Sequence, residues 1–90
     1  MRIKKVVIDF YTEEKINKKH GVYRKDIEDA LFEGVSVFYR TKDDRYVAIA
    51  SKERYITIIF LYQKEIATII TAYPSSDWQI KLFKKKMFKK

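Results

Sequence analysis

Cysteine is absent from the 90 residues, and there is only one histidine, one tryptophan, one proline and two glycines. Without thiols the chain has no disulfide framework, no thiolate zinc site and no cysteine nucleophile. A single histidine, His20, cannot build a histidine-rich metal centre, and no set of acids converges beyond the adjacent Asp43 and Asp44, which read as a turn. No metal and no cofactor are expected. Gly21 and Gly34 are too few and too far apart for a glycine-rich phosphate loop. Ser36 and Ser51 fall in strand-like runs and Ser75 and Ser76 in a cap, so no serine triad is supported. No run approaches the ~18 apolar residues that a membrane helix needs. The first fifteen residues also lack the apolar stretch and small-residue cleavage site of a leader, so a cytoplasmic protein is expected.

What is present is enough for a core. The chain is 47% hydrophobic and 16% aromatic, which suits one small domain spanning 1–90. The formal net charge is +8, unevenly spread. Six of the twenty basic residues lie in 81–90, which hold no acid, leaving fourteen bases against twelve acids and a net of +2 in the first eighty. The excess is therefore largely a tail, read either as a solubilising helix end or as a contact for RNA, DNA or an acidic protein.

The apolar pattern changes character along the chain. β-branched and aromatic residues in "RIKKVVIDFY" predict a strand. Thr12 is an expected N-cap with Glu13 and Glu14 in the first turn, giving a short helix to about Lys19 that His20–Gly21 ends. Ile27, Ala30 and Leu31 make the stripe of a second helix, about 24–33, that Gly34 stops. Four strand-like runs follow, "VSVFYR", "RYVAIAS", "YITIIFLYQ" and "IATIITAYP", joined by short polar turns in the manner of an antiparallel meander. The last two are apolar at odd and even positions alike, as central strands are. Ser76 and Gln79 have capping-box spacing, and Ile80, Phe83 and Met87 form the stripe of a basic C-terminal helix carrying lysines at 81, 84, 85, 86, 89 and 90. Trp78 is expected in the core. A short stripe of this kind favours a docked helix over a membrane-lying one, and no membrane partner is expected. The order β-α-α-β-β-β-β-α predicts an α+β fold, with the helices on one face of the sheet and the other face left for a partner.

Two stretches carry a family resemblance. The first is Asp9–Phe10, Lys15, "NKKHGV" at 17–22 and "DIEDAL" at 26–31; the second is "RYVAIA" at 45–50 and "IITAYP" at 69–74, followed by a basic helix. Together they resemble the BrnT-type toxins of bacterial and archaeal toxin–antitoxin systems, small proteins with the fold of RelE-type ribonucleases. The similarity covers about residues 9–85. In that pattern an Arg commonly follows the Ser/Thr-Ala pair, whereas Tyr73 and Pro74 stand here. The resemblance implies RNA as target, its cleavage to stop translation, and a cognate antitoxin protein that masks the toxin. Oligomeric state is left open.

Metal-free RNA cleavage needs a group to take the 2′-hydroxyl proton, charge to meet the phosphorane, and a donor for the leaving oxygen. His20, Arg45 and Tyr73 are the candidate catalytic set. Lys18, Lys19, Arg54, Lys84, Lys85 and Lys86 are the candidate nucleic-acid contacts. Each also has a plain structural role open to it: His20 as a helix end, the lysines as solvated surface, Tyr73 as a packed strand end. A toxin that binds and cleaves RNA and a non-catalytic protein- or nucleic-acid-binding module of the same fold both fit the sequence. The binding module makes its own prediction: nucleic-acid affinity falls with salt and is lost on deleting Lys84–Lys90, with the RNA left intact. Unchanged affinity in that deletion reduces the tail to a surface.

Overall fold

The computed structural model describes residues 1–88; Lys89 and Lys90, counted above among the tail lysines, lie outside the described residues. The elements run β1 (Lys5–Val7), α1 (Phe10–His20), α2 (Arg24–Phe32), β2 (Val35–Arg40), β3 (Tyr46–Ser51), β4 (Tyr55–Gln63), β5 (Ile66–Pro74) and α3 (Asp77–Phe88). The class is α+β, as the pattern predicts. β2 to β5 form the antiparallel meander, and β1 joins it as a fifth strand, parallel to β5, in the order β1-β5-β4-β3-β2.

β1 is much shorter than its β-branched sequence suggests. It pairs only Lys5–Val7 with Ile66–Thr68, because Asp9 ends the extended segment by capping α1. The Asp9 carboxylate accepts from the Thr12 amide at 2.8 Å and from the Thr12 hydroxyl at 3.1 Å. Asp9, not Thr12, is thus the N-cap, and the helix begins earlier than expected. Gly21 closes it in the left-handed conformation, φ 64°, its amide donating to the Asn17 carbonyl at 2.9 Å.

Both sheet faces are covered. On one face α1 and α2 place Ile16, Val22, Ile27 and Ala30 against Ala48, Ala50, Ile56, Ile58, Phe60 and Ala72, all buried. The alternation of the strands puts Val47, Ile49, Thr57 and Tyr73 on the opposite face. There α3 lays down Gln79 and Phe83, with the Phe83 ring edge-on to Tyr55 at 5.3 Å. This corrects the expectation that the helices share one face. Among the described residues, parts of the second face stay open, at Leu61 and Val7 and, on the outer strand β2, at Val35. Trp78 is also exposed, 59% accessible, and not in the core. The buried seam of α3 runs through Gln79 and Phe83, four apart, which turns Trp78 outward.

Two backbone features shape the sheet. Between Ile59 and Phe60 the register with β5 slips, so that Ile59 faces Thr71 while Phe60 faces Ile69, leaving Ile70 as a bulge. The β4–β5 turn, Lys64–Glu65, has positive φ at both residues, 52° and 66°, the shape of a type I′ hairpin. Its Glu65 carbonyl accepts from the Lys4 amide at 2.8 Å, anchoring the segment that enters β1.

Gly34 is required by close approach. A Cβ there would sit 2.6 Å from the Ser51 carbonyl oxygen and 2.8 Å from that of Ala30, both backbone atoms. Gly34→Ala is therefore expected to destabilise the fold by about 1–3 kcal/mol, read as a lower urea midpoint with an unchanged m-value. An unchanged midpoint would show that α2 and β3 can separate without cost.

Candidate active site

The β4–β5 hairpin and the C-terminal end of α1 meet at one corner of the sheet. Tyr73, next to last in β5, lies opposite Thr57. His20, the last residue of α1, lies beside it with ring centroids 5.9 Å apart and planes tilted by 55°. His20 is exposed and Tyr73 half-buried, so both rings reach solvent from a fixed base. The helix end supplies that base on one side. Gly21 turns the chain, and Arg54, in the β3–β4 connection, holds the turn by donating from Nη2 to the Gly21 carbonyl at 3.0 Å and to Asp26 Oδ2 at 3.3 Å. Asp26 in turn accepts from the Tyr23 amide at 2.8 Å.

On the other side Tyr73 is held by α3. Gln79 is 3% exposed, and its Oε1 accepts from the Ser76 amide at 2.9 Å, the Thr57 hydroxyl at 3.0 Å and the Ser76 hydroxyl at 3.2 Å. A backbone N–H can only donate, so the oxygen end of the amide must face Ser76. Nε2 then faces Tyr73 and donates to its hydroxyl oxygen at 3.0 Å. Thr57 gives its only proton to Gln79, so the Ser75 hydroxyl, 2.7 Å away, must donate to Thr57. The consequence for Tyr73 is directional. Its oxygen is already an acceptor towards the protein, and its proton is free to point outward.

The other sequence candidates fall in three places. Lys18 and Lys19 are exposed in the last turn of α1 with His20, where the helix dipole favours positive charge. Arg54 is tied to the carbonyl of Gly21, adjacent to His20. Nη2 makes both of its bonds, and Nε and Nη1 keep three further N–H groups. Lys86 lies 5.8 Å from the ring centroid of Tyr39, whose phenol is pushed up by burial first and by Tyr73 second. Lys84 and Lys85 are exposed on the same helix.

Arg45 is elsewhere. It precedes β3 at the opposite end of the strands, four residues beyond Ile49, which is two strands over from Tyr73. That is about 13 Å along the sheet and about 10 Å across it. There Arg45 approaches Asp43 at 3.7 Å within a turn in which the Thr41 hydroxyl also donates to Asp43, at 2.6 Å. The Thr41 bond is the main cause holding the Asp43 carboxyl below its ordinary range. The structure thus brings His20, Tyr73 and Arg54 to one corner and leaves Arg45 at another. Gln79 was visible in the sequence only as a capping residue; that it also reaches Tyr73 follows from how α3 crosses the sheet. Among the described residues, no group of three or more His, Cys, Asp and Glu side chains is placed to hold a metal ion.

Sequence comparison finds neither a matching protein-family profile nor a matching curated protein. Structure comparison does find similarity. The crystal structure of the Brucella abortus ribonuclease toxin BrnT superposes with a TM-score of 0.66 at 26% identity, covering 81% of this chain and 97% of the toxin. The chain has a BrnT-like toxin fold.

The Gln79 network gives a stability prediction. Gln79→Leu keeps the volume but strands the Ser76 amide and the Thr57 hydroxyl, a loss expected at about 2–3 kcal/mol in urea unfolding. In the Tyr73→Phe background the same change should cost less, because one of its partners is already gone. Strict additivity of the two changes would show that the amide does not hold Tyr73.

Proposed function

We propose that the chain is a BrnT-like toxin that binds RNA and cleaves it without a metal ion at the His20–Tyr73 corner, and that a cognate antitoxin keeps it masked. The observation that carries this reading is the approach of the two rings to 5.9 Å from α1 and β5, elements far apart in the sequence. It pairs the one side chain suited to proton transfer near neutral pH with a hydroxyl whose proton faces outward. The overall likeness to a ribonuclease toxin supports the same class.

The chemistry follows from those two groups. His20 imidazole takes the proton of a ribose 2′-hydroxyl, O2′ forms a bond to the adjacent phosphorus, and the bond from phosphorus to O5′ breaks. Tyr73, its oxygen held by Gln79, gives its proton to O5′, and the phenolate is reprotonated from the imidazolium. The products are a 2′,3′-cyclic phosphate and a 5′-hydroxyl. Lys19 and the unengaged N–H groups of Arg54 supply positive charge for the phosphorane. The network around Gln79 keeps Tyr73 from rotating away, so that the geometry exists before substrate arrives.

A second reading rests on Tyr73 itself. An Arg at that position would bring a permanent charge, and a Tyr does not; a module that grips RNA at this corner without cutting it uses the same residues.

Expression of the wild-type chain is expected to arrest growth. His20→Ala and Tyr73→Phe should each relieve the arrest and lower cleavage of purified RNA by about 10²-fold or more. Cleavage should persist in EDTA and leave cyclic phosphate ends. Intact RNA with bound protein would select the gripping module, and intact RNA with no binding would sink both.

A further inference from the structure

Beside the His20–Tyr73 corner a cleft of about 360 Å³ runs between α1 and the margin of β5, lined by Tyr11, Lys15, Lys19, His20, Ile70 and Thr71. Its size is at the lower end of small-ligand pockets. Three features give it a chemical character. Tyr11, Lys15 and Lys19 follow one another at four-residue steps, so they form one row along α1, ~6 Å apart, ending at His20. Tyr11 heads that row and is 75% exposed, a bare ring that no core contact explains. The opposite wall is an unpaired strand margin. β1 stops at Val7, opposite Thr68, so from Ile69 onward no strand lies on that side of β5. The bulge at Ile70 falls at the same place and gives that margin a local twist.

We propose that this cleft holds a nucleotide of single-stranded RNA next to the bond that His20 addresses. Its base stacks on Tyr11, its phosphates are followed by Lys15 and Lys19, and its edge lies against the β5 margin at Ile70 and Thr71. The inference rests on the RNA reading above and narrows it: the substrate is a single strand, and a duplex is excluded. A base inside a helix is stacked on its neighbours and offers no face to Tyr11, whereas an unpaired base does. The row of cations and a terminal aromatic is the combination that single-strand grooves use. An anionic peptide would use the lysines and the strand margin but offers no planar base to stack on Tyr11.

The test uses the full chain carrying His20→Ala, which prevents turnover, and a short RNA labelled with a fluorescent base analogue. It is offered as a single strand and as a duplex, with binding read by anisotropy and stacking by quenching. The single strand should bind at least tenfold more tightly than the duplex and be quenched. Tyr11→Phe should preserve both signals. Tyr11→Ala should weaken single-strand binding about tenfold or more and remove the quenching, a loss in the range of one base–aromatic stack. Tyr11 is on the surface, so Tyr11→Ala should leave the fold intact, which its circular dichroism spectrum checks. Three outcomes overturn the cleft. Binding unchanged in Tyr11→Ala but weakened by Lys19→Ala leaves the RNA reading standing and removes the stack. Equal affinity for duplex and single strand removes the single-strand claim. Displacement by oligoglutamate at matched charge makes the cleft a general anion surface. Failure to bind either RNA takes the RNA reading with it, a result distinct from all three.

Discussion

One buried amide fixes the tyrosine side of the His20–Tyr73 corner. Gln79 has almost no access to water, so every polar atom it carries must find a partner in the protein or cost free energy. It finds them on three elements at once, Ser76 at the start of its own helix, Thr57 on β4 and Tyr73 on β5. A different seat for α3 would leave those groups unpaired. The helix is thereby fixed on the sheet, and the orientation of the Tyr73 hydroxyl is fixed with it. Packing of Phe83 on Tyr55 adds area, but apolar contact alone does not choose which way a hydroxyl points.

The positive charge beside this corner has two causes that coincide. The end of α1 exposes unpaired carbonyls, and Lys18, Lys19 and His20 in its last turn meet the negative end of the helix dipole. All three are exposed, and His20 lies beside Tyr73. Arg54 repeats the pattern from another segment: it secures the Gly21 carbonyl while leaving donors unengaged. The residues that finish the helix also give this corner its exposed positive charge.

Much of this was legible in the sequence, and what was not has a common origin. β2, β4, β5 and α2 have sharp limits because turn residues and Pro74 punctuate runs of strand-forming or amphipathic sequence. Local signals also placed His20 at a helix end and Ser76–Gln79 in a cap. Three things were decided by long-range contacts that no short window contains. Asp9 and Thr12 are both good caps, and the chain's exit from β1 selected Asp9. Trp78 and Phe83 are both large and apolar, and the crossing of α3 buried Phe83. Arg45 and Arg54 bracket the same strand, yet the meander carries one to the far turn and the other to the His20 turn. Sequence spacing made the two arginines equal; sheet register separated them.

The parallel pairing of β1 with β5 joins segments about sixty residues apart and so sets an order on folding. His20 and its helix come early in the sequence, but the strand against which α1 packs and the tyrosine beside His20 come much later, and Gln79 later still. Parallel closure between segments this distant is entropically the last step. The corner is therefore a product of the whole fold, and neither α1 nor the β4–β5 hairpin presents it alone.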